Sequence, residues 1–148
     1  MASFRIDFPE DFLSGLLGTE FEDIAGEALT EAVPILEKSM KKSCQDAIEH
    51  EGDSELVNSI KAGKPKKTKT DAMIVTVKPE GNSKIKVRRT GKKRERTQPV
   101  SNVLKAIWLE NGIPGRQSPR PFLTAATNDA RSAVEKKLQE VYSRKVDR

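Results

Sequence analysis

One stretch constrains the fold more than any other: "TEFEDIAGEALTEAVPILEKSMKKSCQDAIEHEGD", running from Thr19 to Asp53. Phe21, Ile24, Ala25, Ala28, Leu29, Ala32, Leu36, Met40, Cys44, Ala47 and Ile48 recur at the three- and four-residue steps of a single helix face. Thr19 and Glu22 read as a capping box. Acidic residues crowd the first turns and lysines follow, the order that a helix dipole favours. Pro34 has no amide hydrogen for a helical bond, so a kink is expected there. Gly52 is the expected stop. Cys44 falls on the apolar stripe, where a buried thiol is expected. So long a stripe must be covered by other elements, which sets the task for the rest of the chain.

The remaining segments are shorter. "FRIDF" alternates Phe4, Ile6 and Phe8 with polar residues and reads as a strand closed by Pro9. "EDFLSGLLG" reads as a loose helical turn. "DSELVNSIKAG" reads as a second short turn capped by Asp53 or Ser54, and "KPKKTKTD" as a solvated basic loop. "AMIVTVKPEGNSKIKVRR" reads as a hairpin, with Met73, Val75 and Val77 facing Ile85 and Val87 across "PEGNS". "RTGKKRERTQPVS" reads as an exposed basic arm. "NVLKAIWLENG" fits strand or helix; its β-branched and aromatic content and the following Gly112 favour a strand near Ala106 to Glu110, after a helical turn. From Pro121 a helix is expected almost to the end, with Phe122, Ala126, Ala130, Ala133, Val134, Leu138 and Val141 inward. The order gives an α+β fold in one domain over 1–148. A small, mostly antiparallel β-sheet packs against a long N-terminal helix and a C-terminal helix, with 61–71 and 88–101 as flexible basic loops.

Charge is divided along the chain. The net charge is +5, with 33% of residues charged. Residues 1–60 hold fourteen acidic and four basic side chains, a charge of −10, which leaves +15 on the rest. The basic part suits two arrangements, contact with an acidic surface such as nucleic acid, or the stacking of copies acidic face to basic face. A single Cys excludes an internal disulfide framework. No apolar run approaches the roughly 18 residues of a membrane span. The acidic N-terminus lacks the pattern of a signal peptide.

The chemistry of catalysis is not visible. "GKKRERT" lacks the upstream glycine and the strand of a phosphate-binding loop. With one His (His50) and one Cys, a Cys/His zinc site is nearly excluded, and His50 among Glu49, Glu51 and Asp53 reads as a solvated helix end. No catalytic residue, metal ligand or cofactor is expected, and the chain is not expected to be an enzyme. The tracts around Lys66 and Lys67, and around Arg88, Arg89, Lys92, Lys93, Arg94 and Arg96, carry no interleaved aromatics. They suit non-specific phosphate contact, a solvated loop or an ordered protein contact, and not base-by-base reading.

The most informative stretch is "WLENGIPGRQSPRPFLTAA", from Trp108 to Ala126. Its prolines cannot donate to a sheet, and Pro121 suits a first helical turn. The aromatics at its two ends should pin a stiff loop. With "ELVNSI" before it, the stretch resembles the head–tail joining, or tail-completion, family of long-tailed bacteriophages and prophages. Leu56, Ser59 and Ile60, then Trp108, Glu110 and Gly112, then Arg120, Pro121, Phe122, Leu123 and Ala126 carry the resemblance, in order over nearly the whole chain. Asn111 stands where the family has an aromatic, and Ile113 where it has Thr. The Thr-Gly that precedes the Leu in the family is replaced by Gly52 to Glu55.

The resemblance implies a structural virion protein, assembled in the host cytoplasm and residing in the neck or tail. It implies a homo-oligomeric ring, often six-fold, that adapts the head connector to tail-tube or tail-terminator proteins. DNA passes through the lumen, where the basic loops could meet it, and no membrane is involved. Subunit contacts are expected along the loop from Gly112 to Arg120, including Pro114 and Arg116. The alternative is a basic nucleic-acid-associated protein that grips phosphates through 61–69 and 88–96.

Overall fold

A computed structural model of the chain describes residues 19–48, 54–70, 72–88 and 95–146. In chain order its elements are α1 (Thr19–Ala47), α2 (Ser54–Ser59), β1 (Ile60–Ala62), β2 (Lys66–Lys67), β3 (Met73–Ile74), β4 (Val77–Pro79), β5 (Asn82–Arg88), β6 (Glu95–Ser101), α3 (Asn102–Asn111) and α4 (Phe122–Val146). The fold is α+β, with two long helices and small antiparallel sheets. The expected strand at Phe4–Phe8, the turn after it, Gly52 and His50 lie outside the described residues.

The apolar stripe of α1 becomes the centre of the core. Ala28, Leu29, Ala32, Leu36, Met40 and the thiol of Cys44 are buried on it, together with Val33. Helix α4 supplies the facing surface through Phe122, Ala126, Ala130, Val134, Leu138 and Val141, a run of i,i+4 and i,i+3 steps. Ala133, expected inward, faces solvent one step off that stripe. The two helices run antiparallel. Ser39 on α1 donates to the Ala126 carbonyl near the start of α4 at 3.0 Å, while the far end of α4 meets the early turns of α1. There Arg144 reaches Glu31 at 2.5 Å and Glu27 at 3.2 Å, and Lys145 reaches Glu27 at 2.7 Å. Part of the acidic charge of the first sixty residues is thus met within the chain. Burying each Val, Leu or Phe of this interface is worth about 1.5–3 kcal/mol, whereas the exposed ion pairs add little. Pro34 sits inside α1 with its side chain exposed.

The strands pair differently from the sequence expectation. β1 pairs antiparallel with β4, Ile60 opposite Pro79 and Ala62 opposite Val77. β2 pairs with β3, Lys66 opposite Ile74, so part of the expected basic loop is a strand. β5 pairs over seven residues with β6, Asn82 opposite Ser101 and Arg88 opposite Glu95. The expected hairpin across "PEGNS" therefore does not form, and Glu95–Ser101 is a strand and not part of a loose arm. The reason lies in long-range hydrogen bonds around Gly81, whose φ is +73°. Glu80 N–H donates to the Ser59 carbonyl at 2.8 Å, and Asn102 N–H donates to the Gly81 carbonyl at 3.0 Å. The buried Asn102 side chain donates to the Glu80 carbonyl at 2.8 Å and accepts from Ser83 Oγ at 2.7 Å. The turn is held from outside and directs β5 away from β4.

The expected strand at Ala106–Glu110 is also corrected. Asn102–Asn111 is an α-helix that buries Asn102, Ala106 and Leu109, a helical and not an alternating set. Burial of one face overrode the β-branched content of the segment.

Candidate assembly surface

The loop from Gly112 to Arg120 is built by groups at its two ends. Glu110, in the last turn of α3, turns its carboxylate to the start of α4. One oxygen accepts from Leu123 N–H at 2.8 Å; the other accepts from Thr124 N–H at 3.3 Å and from Thr124 Oγ1 at 2.8 Å. A helix start has amide hydrogens with no partner inside the helix, and a carboxylate there also meets the positive end of the dipole. Glu110 therefore caps α4 from across the loop. Arg120 does the converse for α1: its Nη1 donates to the Ala47 carbonyl at 3.0 Å, at the negative end of that helix. Arg120 N–H also donates to the Leu109 carbonyl at 2.8 Å, which closes the loop on α3.

Gly112 makes the closure possible. Its φ of +75° and ψ of 178° lie in a region that only glycine occupies readily. A Cβ there would stand 2.6 Å from the Gln117 carbonyl oxygen and 2.8 Å from Pro119 N. Inside the closure Ile113 and Gln117 exchange backbone hydrogen bonds at 2.9 Å. Pro114, Gly115 and Arg116 form an exposed tip. Phe122 is 2% exposed and fixes the entry of α4 in the core, while Pro121 beside it is exposed.

Beside the loop lies an open groove of about 530 Å³. Ile48, Leu56, Ile85, Trp108 and Leu109 supply its apolar walls, and Lys105, Arg116 and Arg120 its cations. Trp108 is half-buried in this wall and not a closed core residue. One turn away, Leu104 and Ile107 stand 41% and 39% exposed, the large apolar side chains most open to solvent among the described residues. Leu104 stands i,i+3 to Ile107 and i,i+4 to Trp108, which puts the three on one side of α3. That side was missed in the sequence because a strand was expected there; at helical spacing it is visible.

The other expected site residues divide into groups. Leu56 (2% exposed) lines the groove from below, Ile60 (0%) sits in the core, and Ser59 Oγ donates to the Leu56 carbonyl at 2.6 Å. All three are structural at this end of α2. Lys66 and Lys67 lie in β2, and Lys67 pairs with Glu22 beside the first turns of α1. Arg88 ends β5, and Arg96 is exposed on β6. Arg89, Lys92, Lys93 and Arg94 lie outside the described residues. The two basic tracts are thus carried by different elements, β2 beside β3 and tied to α1 by Lys67, and the β5–β6 ribbon, whose β6 packs against α3.

Two carboxylates on α1 have lowered pKa values. The hydrogen bond from Arg144 holds Glu31 below the usual range, helped by the charges of Arg144 and Lys137. Lys41 does the same for Glu37, and Ala62 N–H adds a second bond to that carboxylate, tying β1 to α1. Arg144 and Lys137 are raised in turn, Arg144 by Glu31 and Lys137 first by Glu140. Among the described residues no three His, Cys, Asp or Glu side chains converge on a metal-sized space, and no helix is long and apolar enough to cross a membrane. No family model, curated protein or solved structure matches the chain.

Proposed function

We propose that this chain is a structural component of a tailed-phage particle, a ring-forming adaptor between the head connector and the tail. The observation that carries this reading is the convergence of residues named from the resemblance on one constructed feature. Glu110, Gly112, Arg120 and Phe122 each hold an end of the 112–120 loop, and Pro114 and Arg116 are left at its exposed tip. A loop fixed this firmly loses little conformational freedom when a partner binds, which favours a specific protein contact. The exposed Leu104 and Ile107 next to it add apolar area that a partner would cover.

The test is joining. Deleting the gene from the phage or prophage that carries it should give filled heads and finished tails that stay apart. Adding the purified chain should then restore joined, infectious particles. Normal particle yield without the chain would end the proposal.

A second reading is favoured by one observation. Lys84 and Arg96 lie on the two-stranded β5–β6 ribbon, whose connection 89–94 adds Arg89, Lys92, Lys93 and Arg94 in sequence. Such a ribbon can lay cations along a phosphate backbone. It requires duplex DNA affinity that falls steeply with salt and disappears when 89–94 is replaced by Gly and Ser.

A further inference from the structure

We propose that the groove between α3 and the 112–120 loop receives residues 4–12 of a second copy of this chain. This deepens the adaptor reading and rests on it, since it supplies the contact by which copies would join head to tail.

The groove has a defined chemistry. Trp108, Ile85 and Leu56 give it apolar walls, Lys105, Arg116 and Arg120 line its edge, and among the described residues no carboxylate lines it. Its apolar character continues outward through Leu104 and Ile107. The segment "FRIDFPEDF" complements this on both counts. Phe4, Ile6, Phe8 and Phe12 are apolar, and Asp7, Glu10 and Asp11 are acidic. Three of the chain's five Phe residues fall within these nine positions. In an extended segment Phe4, Ile6 and Phe8 share one face and Arg5 and Asp7 the other, so one side can enter the groove while Asp7 meets its cationic edge. Residues 49–53 bring Glu49, Glu51 and Asp53 to the chain next to Ile48. The cations alone therefore do not select the segment; the apolar walls do.

Length selects the neighbouring copy. The groove edge includes Ala47 and Ile48, at the opposite end of α1 from Thr19. A helix from Thr19 to Ala47 spans about 42 Å at 1.5 Å per residue. Phe8 precedes Thr19 by eleven residues, which cover at most about 40 Å when fully stretched. On the same copy, the segment would reach the Ala47 end of α1 only with the chain before Thr19 almost fully straightened. A second copy carries no such restriction. Because the segment and the groove are different surfaces, the contact is heterologous and repeats from copy to copy, closing into a ring if the rotation allows.

The test is a cysteine pair in the full chain, Phe8→Cys with Ser118→Cys, under mild oxidation, with buried Cys44 left in place. The expected result is a ladder of multimers on a non-reducing gel that collapses with reductant, whereas either single variant gives at most a dimer. Phe8→Asp in an otherwise native chain should weaken self-association at least about tenfold, the scale of losing one aromatic anchor, with an unchanged circular dichroism spectrum. A disulfide within one chain overturns the proposal, as does self-association without an 8–118 link. A chain that stays monomeric at every concentration also overturns it, while ring assembly on a head or tail partner, read by particle joining, would still stand.

Discussion

The two ends of the α1–α4 pair use charge in opposite ways. At one end Glu27 and Glu31 face Arg144, Lys145 and Lys137, all partly exposed and sharing partners. Any one of these ions has a substitute, and salt screens them all. At the other end Glu110 and Arg120 bind backbone groups at helix termini, Leu123 N–H and the Ala47 carbonyl. There a lost side chain leaves main-chain groups without partners. The larger number of ion pairs therefore marks the more tolerant end of the molecule, and the loop base is the end where single changes are costly.

Four changes sharpen that contrast, from the largest effect to the smallest. Phe122→Ala removes a ring that is 2% exposed and should cost about 3–5 kcal/mol in urea unfolding. A loss under about 1 kcal/mol would mean that the entry to α4 is not seated in the core. Gly112→Ala should cost about 3 kcal/mol, because its backbone conformation and the 2.6 Å approach to Gln117 both oppose a Cβ. Unchanged stability would show that the loop relaxes freely. Glu110→Ala should cost about 1–2 kcal/mol, the worth of a helix cap, and hydrogen exchange should speed up at Leu123 and Thr124. Arg144→Ala should be the mildest, with a melting temperature close to that of the parent at physiological salt. A loss as large as that of Glu110→Ala would reverse the contrast.

The same seam sets an acid limit. Glu31 and Glu37 have folded pKa values lowered by Arg144 and Lys41. Their contribution is complete above the ordinary glutamate value of about 4.3 and is lost as pH falls through the lowered folded values. Arg144 and Lys137 are raised, so their share is complete below their unfolded values and is lost only in strong base. Stability should be flat from neutral pH down to about 5 and fall below that. Arg144→Ala should flatten part of the acid limb, which would tie it to this pair.

Both long helices were legible because each buries one continuous stripe that repeats in the sequence. The buried thiol at Cys44 followed from the same pattern. The strand pairing was not legible. Gly81 and "PEGNS" look like a local hairpin turn, yet Ser59 and Asn102, both distant in sequence, hold that turn and redirect the chain. β6 gives no alternating signal, since Arg96, Thr97, Gln98 and Pro99 are all exposed. The segment at Trp108 was read by composition, and a helix that hides only Asn102, Ala106 and Leu109 keeps its β-branched residues outside. Within the loop, Glu110, Gly112 and Phe122 were visible as residues, but the capping by Glu110 and Arg120 needs three dimensions. The exposed pair Leu104 and Ile107 was hidden by the strand reading.

The central claim is that the loop side, and not the helix-pair side, makes the contacts of an assembly protein. Charge reversals on the two sides test it directly in the joining of heads to tails. Arg116→Glu changes the exposed loop tip, and Arg131→Glu changes an exposed position on α4 that pairs only locally with Glu135 among the described residues. With both variants folded to the parent melting temperature, Arg116→Glu should lower the yield of joined particles at least about tenfold, equivalent to about 1.4 kcal/mol, and Arg131→Glu should leave it unchanged. Equal yields from the two variants, or a loss confined to Arg131→Glu, would contradict the claim.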